Sequence, residues 1–387
     1  MRSGLDEFLS EKWKKYKSGR WGVLCNQASV DKHLVHIRDI LKEKKGISLG
    51  AFLGPQHGIR GEKQDNMKES SDFFDPELKV PVFSLYSHTR VPTAEMMQAF
   101  DVLIVDLQDI GTRIYTFMYT MENCMWEAKK LGKKVVVLDR PNPIGGVNIE
   151  GNVLDMNYRS FVGQLPICTR HGMTMGELAV LFNEAFEIGC DLEVITLKGW
   201  KRKHLACDWD RDWVPPSPNI PVWDSALTFP GTVHFEGTNI SEGRGTTKPF
   251  EWIGAPFVDA DKLAKEMNQK KLKGFYFRPI YFQPTFQKHQ EQVCGGVQIH
   301  MGHLSKLNAF EMGVHLIAAF WKLYPEKCEW KKPPYEYVED KLPIDVIAGT
   351  DAFRLAVESG SVKSFLERSE EELEMFRKMR KNYLLYA

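Results

Sequence analysis

The sequence predicts an α/β protein: a parallel-sheet domain followed by a smaller α+β domain. Three observations carry this. Over roughly the first 200 residues, short apolar runs alternate with longer mixed segments, the pattern of strands joined by crossover helices. A Pro-rich stretch, Trp213-Val-Pro-Pro-Ser-Pro-Asn-Ile-Pro221, then breaks the alternation. Beyond it the segments alternate like half-buried strands and end in long amphipathic helices, which puts the domains at residues 1–222 and 223–387.

In chain order, strands are expected near Gly22–Cys25, Gly50–Leu53, Val82–Leu85, Val102–Asp106, Val135–Asp139 and Glu193–Leu197. Helices are expected over Asp31–Lys44, Thr93–Phe100, Tyr115–Leu131 and Thr174–Ile188. The last has a clear start, because Thr174 lies three residues before Glu177 as a capping box requires, and Leu178, Leu181, Phe182 and Phe186 form one apolar stripe. Glu177 is therefore read as structural. In the second domain Gly274–Phe282 and Val293–His300 read as strands, and Leu307–Leu323, Asp351–Glu358 and Glu370–Tyr386 as helices.

With 387 residues, 43% of them hydrophobic, the chain can bury a substantial core. Its 51 basic residues balance 51 acidic ones, which argues against a surface built to hold nucleic acid or anionic membrane. No window approaches the roughly 18 apolar residues of a membrane span, and the N-terminal segment lacks the apolar core of a signal peptide. The expectation is a soluble cytoplasmic protein. Seven scattered cysteines without a C-x-x-C pair read as reduced thiols.

In an open parallel sheet, ligands bind beyond the carboxyl ends of the strands. Polar residues collect there: Asn26 and Gln27 after the first strand, and Gln56, His57 and Arg60 in Gly54-Pro-Gln-His-Gly-Ile-Arg-Gly61 after the second. Asp109 and Arg113 follow the fourth strand, and Arg140 and Asn142 the fifth. Four adjacent loops with hydrogen-bonding groups on one rim predict a ligand site. The turn after the first strand lacks the G-x-G-x-x-G of a dinucleotide site, and neither a Walker motif, an H-E-x-x-H pair nor a G-x-S-x-G elbow is present. No cofactor and no metal are therefore expected.

The densest polar segment, Phe229–Glu251, lies in the second domain and holds Glu236, Glu242 and Glu251 beside Asn239, Arg244 and Lys248, threaded with glycines. A carboxyl held against an apolar wall there can have a raised pKa and donate a proton. Glycoside hydrolysis needs such a donor and a second group for the oxocarbenium-like centre. A phosphatase or a sugar-binding protein would use similar residue types.

Eight blocks, in order, make the pattern specific: CNQAS (Cys25–Ser29), GPQHGIRG (Gly54–Gly61), LQDIGTRIYT (Leu107–Thr116), LDRPNPIGG (Leu138–Gly146), RHGMTMGELA (Arg170–Ala179), PPSPNIP (Pro215–Pro221), FEGTNISEGRGTTKPFE (Phe235–Glu251) and CGGVQIH (Cys294–His300). They resemble the signature blocks of the NamZ-type exo-β-N-acetylmuramidases. The resemblance implies a Rossmann-like first domain, a smaller second domain and a cleft site between them. It also implies cofactor-free release of β-1,4-linked N-acetylmuramic acid from the non-reducing end of peptidoglycan fragments, so that the partner is a muropeptide or other saccharide containing that sugar. The candidate catalytic residues are Glu236, Glu242 and Glu62. The candidate substrate contacts are Asn26, Gln27, Gln56, His57, Arg60, Asp109, Arg113, Arg140, Asn142, Arg170, Asn239, Arg244 and Lys248. The second block departs from the family, which usually reads P-E-H-G where this chain has Gln56. Three readings follow: catalysis is lost and the chain is a sugar-binding paralogue, another acid does the work, or Gln56 orients the sugar's acetamide.

Overall fold

The computed structural model describes residues 1–64 and 69–387. Six strands, β1 (Arg20–Cys25), β2 (Ser48–Gly54), β3 (Phe73–Asp75), β4 (Val80–Ser84), β5 (Val102–Asp106) and β6 (Lys134–Leu138), precede an antiparallel pair, β7 (Glu150–Val153) with β8 (Cys168–Arg170), and then β9 (Asp191–Ile195). The main sheet has the order β3-β4-β2-β1-β5-β6-β9 and is parallel except for the antiparallel edge strand β3. The parallel strands wind outward in two directions from β1, so the fold is Rossmann-like, with its reversal between β1 and β5. Val23, Leu24, Leu103, Ile104, Val105 and Val136 are fully buried, as strands covered on both faces require.

The crevice at that reversal is filled by the chain itself. Arg140 forks onto Asp106 at the end of β5, with Nε at 2.5 Å and Nη2 at 2.8 Å. Asn26 Nδ2 donates to the Pro216 carbonyl at 2.9 Å, and Gln27 Nε2 to those of Pro215 and Pro216 at 3.0 and 2.8 Å. The Pro-rich stretch is thus strapped over the carboxyl ends of the central strands.

The second domain is built on β10 (Trp252–Ala255), β11 (Phe275–Phe282) and β12 (Cys294–Met301), antiparallel in the order β10-β12-β11. Helix Ala309–Leu323 packs on helix Trp223–Thr232 with backbone nearly touching backbone at Gly231 and Gly313. The last long helix, Val362–Arg380, returns to the first domain, where Arg380 donates to the Gly172 carbonyl at 2.9 Å and Tyr386 hydrogen-bonds Asp139. The two halves are interlocked at both ends.

Local physics sets the differences from expectation. The helix expected over Asp31–Lys44 spans only Ile37–Glu43, because Asp31 accepts from the backbone of His33 and Val35 in a competing turn and His36 caps the helix. Thr174 and Glu177 form the expected capping box over Met175–Glu184, and Glu177 also pairs with Arg202 at 2.6 Å. No helix among the described residues is long and apolar enough to cross a membrane.

A Cβ on Gly231 would lie 1.9 Å from the Ala309 carbonyl oxygen, whereas one on Gly302 would meet nothing within 4 Å. Gly231→Ala is expected to cost about 1–3 kcal/mol or more, and Gly302→Ala within about 0.5 kcal/mol of nothing. Denaturant melts in which Gly231→Ala matches wild type would contradict the close helix approach.

Candidate active site

The first domain contributes to the site from the ends of β2, β4 and β5. After β2 the chain turns sharply at Pro55–Gly58, with His57 at φ 71° and Gly58 at φ 80°, which aims Gln56 inward. Thr116, beyond β5 at the start of helix Phe117–Lys130, donates to Gln56 Oε1 at 2.7 Å. The amide is thereby fixed, with Nε2 3.4 Å from Glu336 Oε1. Tyr86, just after β4, donates its hydroxyl to Glu336 Oε2 at 2.8 Å.

The second domain supplies the charges. Glu236 sits in the 3₁₀ turn Val233–Gly237, and Arg244 in a loop bent at Gly243 and Gly245, both at positive φ. Arg244 Nη2 meets Glu236 Oε1 at 2.6 Å, and its Nε meets Glu242 Oε1 at 3.3 Å. Tyr335 donates to Glu236 Oε2 at 2.7 Å. Lys288 Nζ donates to Glu242 Oε2 at 2.7 Å and to the carbonyls of Phe235 and Ile240 at 2.6 and 2.9 Å.

Three buried carboxyls thus share two buried cations, and their environments separate them. Burial raises the Glu242 pKa, but the charges of Lys288 and Arg244 outweigh it and hold the group below the usual carboxylate range. Glu336, 4% exposed, forms no ion pair among the described residues. Burial pushes its pKa up to about 7, the charge of Glu236 adds to this, and the Tyr86 bond and more distant Arg90 only partly oppose it. Glu336 and Tyr337 both take left-handed backbone, at φ 45° and 67°, a costly conformation for two successive side-chain-bearing residues. It is held by reciprocal backbone bonds between Tyr335 and Val338 and by the Tyr337 ring, whose centroid lies 3.9 Å from the Arg90 guanidinium carbon.

Ile114, Tyr115, Val162, Phe229 and Phe250 wall the cavity these groups enclose. Its volume is about 40 Å³, room for a few waters. The geometry offers a carboxyl of raised pKa and an ion-paired carboxyl facing one small slot.

Of the residues singled out from sequence, Gln56, His57, Glu236 and Arg244 line this cavity. Glu242 lines an adjoining pocket that shares Glu236, Arg244 and Tyr335. Glu62 and Arg60 lie on a separate cavity beside Phe73, over whose ring Arg60 sits at 5.5 Å. Asn26, Gln27 and Arg140 fill the crevice at the sheet reversal. Asp109 accepts from the Gly111 amide and contacts His171 at 3.2 Å, while Arg113 donates to the Ala348 carbonyl at 2.8 Å. Asn142 donates to the Met173 carbonyl, Arg170 pairs with Glu150, Asn239 donates to the Lys327 carbonyl and Lys248 pairs with Glu251. Only two of the four rim loops, those after β2 and β5, reach the cavity, the second through Ile114–Thr116. The sequence reading missed Tyr86, Thr116, Tyr335 and Glu336. The available signal was Pro333-Pro-Tyr-Glu-Tyr-Val338, an acid flanked by aromatics after a proline pair. Among the described residues no cluster of His, Cys, Asp and Glu is arranged to hold a metal.

Fold and site together define a two-part Rossmann-like protein with carboxyls and cations buried between its parts. The chain belongs to the exo-β-N-acetylmuramidase NamZ family: the N-terminal profile of that family matches residues 21–224 and the C-terminal profile residues 227–386. It is 44% identical over its full 387 residues to the peptidoglycan beta-N-acetylmuramidase NamZ of Bacillus subtilis (strain 168), covering 91% of that protein. Two crystal structures of DUF1343 family proteins from Bacteroides fragilis NCTC 9343 are similar along the whole chain. One has a TM-score of 0.89 at 34% identity with 99% of its chain covered, the other 0.75 at 30% with 98% covered.

The buried pair gives a stability test. Lys288→Met leaves Glu242 short of a cation and is expected to cost about 3–5 kcal/mol. Adding Glu242→Gln should recover part of that loss. Strictly additive losses in a double-mutant cycle would contradict the coupling.

Proposed function

We propose that this chain is a glycoside hydrolase that releases non-reducing-end β-1,4-linked N-acetylmuramic acid from peptidoglycan fragments. The observation that carries the reading is Glu336, a buried carboxyl with a pKa near 7 in the cavity that also holds Glu236. Near neutrality such a group is still a proton donor and is acidic enough to give its proton up. Tyr86 occupies Oε2, so Oε1, with only the 3.4 Å contact from Gln56, is the oxygen that carries the proton to the leaving glycosidic oxygen. Glu236, oriented by Arg244 and Tyr335, faces the developing oxocarbenium-like centre or directs the water that attacks it. Gln56 holds the substrate acetamide, its own amide fixed by Thr116.

Glu242, engaged by both Lys288 and Arg244, positions Arg244 and transfers no proton. Glu62 is exposed on another cavity and takes no part in the chemistry. A pyranose ring exceeds the 40 Å³ slot, so productive binding requires the Pro333–Val338 segment to move, and its return delivers Glu336 to the bound sugar.

The test is turnover of a chromogenic β-N-acetylmuraminide against the N-acetylglucosaminide. Activity on the first, lowered on the order of 10²-fold or more by Glu336→Gln and by Glu236→Gln, is the expected result. Near-normal turnover in both variants would overturn the assignment. Because the donor must be protonated, kcat should fall as pH rises through about 7 in wild type. A rate flat from pH 6 to 9, on the order of those limits, would contradict it.

Gln56 favours a second reading, a sugar-binding paralogue that has lost turnover, since the P-E-H-G block that Pro55–Gly58 resembles has a glutamate at this position. Comparing Gln56→Glu and Gln56→Ala separates the two. If the amide holds the acetamide, kcat/KM falls in both variants, with a lost hydrogen bond worth roughly 0.5–1.5 kcal/mol. A rise for glutamate alone, or binding without turnover in wild type, supports the paralogue.

A further inference from the structure

Behind Tyr335, on the side away from Gln56, lies a second pocket of about 200 Å³ that shares Glu236, Arg244 and Tyr335 with the central cavity. Four cations border it, Arg244, Lys288, Lys331 and Lys332, against two carboxyls, Glu236 and Glu242. The two carboxyls are satisfied by Arg244 and Lys288. That leaves Lys331 and Lys332, whose ammonium groups pair with no carboxylate among the described residues. The Lys331 amide donates to the Gly237 carbonyl at 2.8 Å and holds Lys331 beside the turn that carries Glu236. Lys331 is close enough to Lys288 for its charge to reinforce burial in lowering the Lys288 pKa. The pocket therefore carries an excess of positive charge over a floor of buried cations, and a bound carboxylate there would make charge-assisted hydrogen bonds.

We infer that this pocket is an anion subsite for the carboxylate on the ether substituent of the sugar ring, with Lys331 and Lys332 as the residues that set specificity for an acidic sugar over a neutral one. The inference rests on the N-acetylmuramidase reading. Tyr335 is the partition between the two pockets and belongs to the segment that must move to admit a ring. Its displacement joins them, so a ring over Glu236 can extend its acidic arm toward the lysines.

The experiment is a calorimetric titration of the full chain with N-acetylmuramic acid, with the carboxamide of the same sugar, and with N-acetylglucosamine, alongside the turnover assay. Wild type is expected to bind the acid on the order of tenfold more tightly than the carboxamide, with a preference that shrinks as salt is added. In Lys331→Gln/Lys332→Gln, both side chains being exposed, that preference should collapse toward unity. Equal affinity for acid and carboxamide in wild type, or a preference that survives the double substitution, would overturn the subsite. Acid preference without any turnover would support the subsite and overturn the hydrolase reading; turnover without acid preference would do the reverse.

Discussion

The site depends on a count of buried charges. Glu236, Glu242 and Glu336 are all buried in or beside this cavity, and among the described residues the cations that pair with them, Arg244 and Lys288, both go to Glu236 or Glu242. A carboxylate cannot be stripped of water without a cation or several donors to replace it. The third carboxyl then binds its proton more tightly than an ordinary glutamate, and Glu336 is the one left over. Its proton is a consequence of where the cations are spent, with Glu242 as the group that keeps Arg244 aligned between two acids. The neutral Gln56 beside Glu336 adds no charge to this balance, whereas a carboxyl in its place would add a fourth acid to the cluster.

That arrangement requires the two parts of the chain to meet at fixed distance. The first sheet holds Gln56 and Tyr86 just beyond the ends of β2 and β4, Thr116 opens the helix that follows β5, and the second part brings the Glu236 turn, the Arg244 loop and the Pro333–Val338 segment over them. Interlocking fixes the distance: the Pro-rich stretch is strapped to Asn26 and Gln27, Arg113 grips the Ala348 carbonyl, and the final helix anchors Arg380 and Tyr386 back on the first sheet. Because the Asp106–Arg140 fork and the prolines occupy the sheet reversal, the cavity is displaced toward β2 and β4.

Strand positions were readable in the sequence because apolar runs such as Val102–Asp106 have no alternative fate than burial between helices. The capping box at Thr174 was readable for a similar reason, since its partners are three residues apart. The site was readable only in part. Gln56, Glu236 and Arg244 stand in glycine-punctuated loops that announce themselves. Arg113 and Arg140 stand in equally polar loops and Arg170 ends β8, but all three serve backbone carbonyls or buried carboxylates of crossing segments, and residue type does not separate those duties. Glu336 was missed because its significance lies in contacts across more than two hundred residues, to Tyr86 and Gln56, and in a left-handed backbone that no local motif declares.

The central claim is that Glu336 holds its proton for want of a buried cation. The most direct measurement is a ¹³C NMR titration of the wild-type side-chain carboxyl carbons, with the Glu336 signal assigned from its loss in Glu336→Gln. A midpoint near 7, well above that of an ordinary glutamate, is the result the charge balance predicts. A Glu336 signal that titrates in the usual carboxylate range would contradict it.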